Sequence, residues 1–112
     1  MTYDIPDHRR GDTWDGINSI ALTQNGTPVN LLGALVKMEF RQGIDTPIAL
    51  TLSTENSSIQ ILSPGMSSIR ILPKLIEIPF AKYYYDLQVT FPTGVVKTYI
   101  TGTWQIIPDY TK

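Results

Sequence analysis

Cysteine is absent from the 112 residues, and histidine occurs once, at His8. The first absence excludes disulfides, zinc thiolates and thiol nucleophiles, so stability rests on packing and sheet hydrogen bonds. The second leaves any Ser-His-Asp triad or histidine metal site dependent on one side chain near the start of the chain, and no cofactor or metal is expected. Neither sign of charge dominates. With 9 Lys and Arg against 10 Asp and Glu, the formal charge is -1 and the basic residues are scattered, so no net field draws nucleic acid or anionic membrane. No apolar run approaches the roughly 20 residues that span a bilayer, and Met1 to Pro6 lacks the basic start and apolar run of a secretory signal. The expectation is a soluble protein made in the cytoplasm. No long stretch keeps a helical period free of proline and glycine, which leaves room for single-turn helices at most.

What the chain does have is two-residue alternation. A hydrophobic content of 42% in 12.6 kDa suffices for one core of modest size. From Tyr83 to Phe91 the odd positions Tyr83, Tyr85, Leu87, Val89 and Phe91 are apolar or aromatic, and the even positions Tyr84, Asp86, Gln88 and Thr90 carry polar groups. Val96, Ile100, Trp104 and Ile106 form a matching row, with Thr98 and Gly102 as its weak points. A turn centred on Thr93-Gly94 opposes Pro92 to Val95, Phe91 to Val96, Leu87 to Ile100, Tyr85 to Gly102 and Tyr83 to Trp104. In that register Tyr85 covers the open position at Gly102.

The rest of the chain reads as shorter strands. Residues 1–8 are polar, contain Pro6 and show no period, so they read as a tail that orders only when a partner holds it. Residues 9–112 form one domain. A first strand is expected from Arg9 to Trp14, a second from Ile17 to Gln24 with Ile20 and Leu22 inward, and a turn at Asn25-Gly26-Thr27-Pro28. Ala34, Val36, Met38 and Phe40 mark the inner face of a strand ending at Arg41. Further strands are marked by Ile48, Leu50 and Leu52, by Ile59 and Ile61, and by Ile69 and Ile71, the last two separated by Ser63-Pro64-Gly65. Leu75 to Phe80 reads as a short extended piece that Pro79 confines to an edge or bend. About eight short strands with frequent turns predict an all-β antiparallel sandwich or barrel.

The order Arg10-Gly11-Asp12-Thr13-Trp14, Pro28-Val29-Asn30-Leu31-Leu32-Gly33-Ala34, Met38-Glu39-Phe40-Arg41, then Tyr84-Tyr85-Asp86-Leu87-Gln88-Val89, Pro92-Thr93-Gly94, Thr98-Tyr99 and Gly102-Thr103-Trp104 resembles a small immunoglobulin-like domain of tailed-bacteriophage tail and baseplate proteins. It is similar to the N-terminal domain of baseplate upper proteins over residues 9–109. The resemblance implies an immunoglobulin-like β-sandwich serving as a structural or adaptor subunit of a virion tail or baseplate, synthesised in the bacterial host cytoplasm. Its implied partners are other virion proteins, as a homo-oligomer or ring neighbour. A receptor-binding tip, which follows this domain in larger relatives, is not implied.

Individual residues add less. Arg10-Gly11-Asp12 spells the integrin-read tripeptide but is expected to run into a strand, with Gly11 permitting a bend. Asp12 with Asp15, and Glu77 with Asp86, could in principle supply acid and base, yet their spacing is that of solvated strand-edge charges, and Asp86 is expected to pair with Lys82 or Lys97. Asn25-Gly26-Thr27 and Asn56-Ser57-Ser58 fit the glycosylation pattern and read as turns. Tyr84 and Tyr99 share the outward face of the main hairpin, where two rings could stack on a sugar or anchor a protein. Tyr3, Asp4, Ile5 and Pro6 of the tail, with Tyr84 and Tyr99, are the candidate partner contacts. A carbohydrate- or receptor-binding module is the alternative function.

Overall fold

The computed structural model describes residues 2–63 and 65–108, which contain strands and turns and no helix. Pro64 of the expected Ser63-Pro64-Gly65 turn and Met1 of the expected tail lie outside the described residues. Twelve strands follow in order: β1 (Ile5–Arg9), β2 (Thr13–Trp14), β3 (Ile17–Ala21), β4 (Thr23–Gln24), β5 (Thr27–Pro28), β6 (Leu35–Arg41), β7 (Leu50–Ser53), β8 (Ile59–Leu62), β9 (Ser68–Ile71), β10 (Lys74–Leu75), β11 (Ala81–Thr90) and β12 (Val96–Ile107). They build a five-stranded sheet ordered β1-β12-β11-β6-β7, a three-stranded sheet ordered β3-β9-β8, and two-stranded ladders β10-β2 and β4-β5.

Alternation explains the core. Val36, Met38 and Phe40 of β6, Tyr83, Tyr85, Leu87 and Val89 of β11, and Ile100, Trp104 and Ile106 of β12 are buried in one cluster, which Ile20, Ile59, Ile69 and Ile71 of the smaller sheet also enter. Trp104 is its hub, with ring centroids 4.7 Å from Trp14 and 5.4 Å from Phe40. Its indole N–H and the Tyr83 hydroxyl both find acceptors, as buried aromatic polar groups must. The Asn25-Gly26 turn joins β4 to β5 with φ of 53° and 80°, the left-handed pair that a tight two-residue hairpin requires.

Four expectations are corrected. The first concerns the expected tail, of which residues 2–8 are paired within the chain: Thr2 bridges Thr101, and β1 lies parallel to β12 with Ile5 opposite Trp104 and Arg9 opposite Ile107. Buried Ile5 and half-buried Tyr3 seat it against a strand whose glycine and indole need covering. Second, the expected strand from Arg9 to Trp14 is broken by a turn at Arg10–Asp12. Gly11 takes a φ of 91°, and the Arg10, Gly11 and Asp12 amides donate to the carbonyls of Ile107, Ile76 and Arg9.

Third, the hairpin turn is one residue longer than expected. Gly94 N–H donates to the Phe91 carbonyl and Phe91 N–H to the Val95 carbonyl, each at 2.8 Å, so Pro92, Thr93 and Gly94 form the loop and Gly94 alone takes a positive φ. A two-residue type I′ turn would force β-branched Thr93 into the left-handed region, whereas Pro92 suits the second position of a type I turn. Thr90 therefore faces Val96, which is 55% exposed, and an extra residue at Tyr99 restores the expected pairing from Leu87–Ile100 to Tyr83–Trp104. Fourth, in the segment expected to be extended from Leu75 to Phe80, only Leu75 lies in a strand. Ile76 is buried, but Phe80 points out.

Candidate interaction surface

The first candidate surface is the groove along β12. Tyr3 N–H donates to the Thr101 carbonyl at 3.0 Å, and the Tyr85 hydroxyl donates to the Tyr3 carbonyl. Asp4 Oδ1 accepts from the Thr103 amide at 3.2 Å and hydroxyl at 3.3 Å, and Trp104 Nε1–H donates to the Pro6 carbonyl at 3.0 Å. Tyr3, Asp4, Ile5 and Pro6 are thus engaged within the chain itself. Burial pushes the Tyr85 phenol well above its ordinary pKa, and the nearby Tyr3 and Asp4 push the same way. The signal that could have found this groove is Gly102: it is covered by Tyr85, as the register predicts, and also by the Tyr3 carbonyl.

The second surface is the outward face of the same sheet. The β6-β11-β12 register lays polar side chains in rows: Lys37, Gln88 and Thr98; Glu39, Asp86 and Thr101; Arg41, Tyr84 and Thr103. Glu39 lies 3.9 Å from both Lys37 Nζ and Arg41 Nη2, and Arg41 Nη1–H donates to the Thr46 carbonyl. The β6–β7 loop, carrying Gly43 and a 93% exposed Ile44, overhangs the rows to make a cleft of about 650 Å³. Tyr84, Asp86, Gln88 and Thr101 line it, and none of these four side chains has a hydrogen bond or ion pair within the described residues. Asp86 therefore does not pair with Lys82 or Lys97. Lys82 instead places its ammonium 5.6 Å from the Tyr84 ring centroid, and Lys97 faces Val89. Asp86 sits directly opposite Glu39, a like-charge pairing that costs stability in a sheet.

Tyr84 and Tyr99 are not brought together. Tyr99 is the extra residue of the β12 irregularity and lines a separate cleft of about 600 Å³ with Gln24, Asn30 and Phe91. Arg10 and Asp12 are exposed at their turn, and His8 donates through Nε2 to the Asp12 carbonyl at 2.8 Å. Among the described residues no group of three or more His, Cys, Asp or Glu side chains is placed to hold a metal ion. Pairing across β6 and β11 is what joins Glu39 to Asp86, and no spacing within either strand signals it. No protein-family model and no curated protein matches the chain.

Proposed function

We propose that the protein is an immunoglobulin-like β-sandwich subunit of a bacteriophage tail or baseplate, a structural adaptor acting through contacts with other virion proteins and with its own copies. The observation that carries contact-making is the set of large apolar side chains borne on loops. Leu32, Ile44 and Phe80 are 67%, 93% and 61% exposed, each on a connection between strands. Large apolar side chains held in water on loops gain free energy when a protein partner covers them. The virion context rests on the sequence resemblance over residues 9–109. Mass spectrometry of purified particles tests it: the chain should be present in stoichiometric amount, and Ile44→Ser with Phe80→Ser should reduce its incorporation. Its absence from particles would refute the reading.

A second reading, carbohydrate binding, is favoured by the cleft beside Tyr84. A half-exposed aromatic ring beside a carboxylate, an amide and a hydroxyl whose side chains have no hydrogen bond among the described residues supplies the stacking and mixed donor-acceptor chemistry a sugar ring uses. A glycan array on the wild type and Tyr84→Ala separates the two readings. Binding lost in the variant supports a sugar site, and no binding leaves protein contact alone.

A further inference from the structure

The two larger sheets end in four edge strands, β1 and β7 in one and β3 and β8 in the other. An edge strand displays unpaired backbone groups, and proteins shield them with charges, proline, bulges or caps. Three of the four are shielded. β1 contains Pro6, which has no N–H, between the exposed charges Asp4 and Asp7. β7 is capped by Asn56, whose Nδ2–H donates to the Thr51 carbonyl at 3.0 Å while its Oδ1 accepts from the Ser53 amide at 3.1 Å. β3 carries an irregularity between Ile17 and Ile20. β8 has none of these: Ile59-Gln60-Ile61-Leu62 is uncharged, pairs with β9 in unbroken register, and has no side-chain hydrogen bond among the described residues.

We propose that β8 is the self-association edge, pairing antiparallel with β8 of a second copy about a two-fold axis at Gln60. This rests on the reading of the protein as an assembling subunit and names the strand that does it. The second copy is the occupant because the strand complements itself. Residues directly opposite each other in an antiparallel pair share a face, so a centre at Gln60 sets Ile59 against the other copy's Ile61, and Gln60 against Gln60. Inward apolar residues then meet each other: Ile59 is buried already, and Ile61, half-buried at the open edge, becomes covered. The two facing amides are donor and acceptor to one another. Arg70, opposite Gln60 on β9, stands three strand spacings from its symmetry mate, about 14 Å, beyond the screening length at ordinary salt. A one-residue slip would put isoleucine against glutamine and expose one apolar row. The result is an isologous dimer with a continuous six-stranded sheet.

The absence of native cysteine makes the test direct. Gln60→Cys places two thiols opposite each other at the axis, and mild oxidation should yield covalent dimer far faster than Lys97→Cys, which is exposed on β12. By sedimentation equilibrium the wild type should dimerise at high micromolar concentration and Gln60→Lys, which sets two ammonium groups face to face, should stay monomeric, its melting temperature lowered only slightly by the like charge opposite Arg70. A dimer that persists in Gln60→Lys, with Gln60→Cys no faster than the control, overturns the β8 edge while leaving self-assembly standing. A wild-type monomer throughout also overturns it, and particle mass spectrometry then decides the subunit reading separately.

Discussion

Replacing Gly102 by alanine tests whether the N-terminal segment is part of the sheet. The φ of Gly102 lies outside the left-handed region, so its backbone does not require glycine. Space does. A Cβ there would collide with the Tyr3 carbonyl and lie 2.9 Å from Tyr85 Cε1. The segment from Thr2 to Asp4 has to move off β12, losing the Tyr3 N–H bond to Thr101 and the Tyr85 hydroxyl bond to Tyr3. Two such bonds contribute about 2 kcal/mol together, and the alanine returns about 0.5 kcal/mol by restricting the unfolded chain, so the net loss is about 1 to 2 kcal/mol. In a domain of this size that lowers the melting temperature by roughly 5 to 10 °C. The assay is a circular-dichroism melt of the variant in the full chain and in a chain lacking residues 1–4, with exchange of the Tyr3 amide followed in the full chain. The drop should shrink in the shortened background to the small cost of shifting the Tyr85 ring, and the Tyr3 amide should lose protection in the variant. An equal drop in both backgrounds would refute the reasoning, because the cost would then come from β12 itself.

The Tyr83 and Tyr85 phenols are both raised above the ordinary value of 10.0, chiefly by burial, so ultraviolet titration should find two late-ionising tyrosines. Folding then favours the protonated phenol: the stability this contributes is whole below the unfolded pKa near 10 and is lost as pH rises through it toward the folded values, so the melting temperature should fall above that pH, less steeply in Tyr85→Phe. Asp86→Asn removes the like charge opposite Glu39 and should stabilise by about 0.5 kcal/mol at low salt; a lower melting temperature would show that Asp86 has a favourable partner. Gly26→Ala forces a side chain into a left-handed turn position at φ 80° and should cost about 1 kcal/mol in a chemical-denaturation curve. EDTA should leave the thermal melt unmoved, and a large downward shift would reveal a carboxylate metal site.

Where alternation was long and unbroken, structure was legible in the sequence. The inner rows of β6 and β11 follow from parity alone, and the far register of the main hairpin, including Tyr85 over Gly102, matches the pairing counted from a Thr93-Gly94 turn although that turn is one residue longer. Legibility failed where parity changes or has no length to act on. The three-residue loop exposes Val96, and the extra residue at Tyr99 then restores the pairing, two offsets that cancel and leave no trace in the outer pattern. β1 has one buried residue, too few to declare a period. The runs Ser57–Leu62 and Ser67–Leu72 look alike as sequence, and both suggest bare edges. Pairing makes β9 a central strand and leaves β8 as the edge, a difference fixed by β3 arriving from far along the chain. The Glu39–Asp86 row was hidden for the same reason, since neighbours across strands are set by topology.

The parallel seating of β1 on β12 also bears on the order in which the molecule is made. Pro6 and Trp104 are 98 residues apart, so β1, which leaves the ribosome well before β12, has no place to dock until β12 has been synthesised. Until then Ile5 stays in water and the five-stranded sheet lacks one border. Contacts between such distant residues close late, because the chain entropy they restrict is lost before they form. The smaller sheet, β6 and β7 can gather earlier. Nascent chains halted before Val96 should therefore leave the Ile5–Arg9 amides unprotected from hydrogen exchange, and protection there in so short a chain would show that β1 docks elsewhere first. The Ile5–Arg9 strand thus joins its sheet only after β12 has been made.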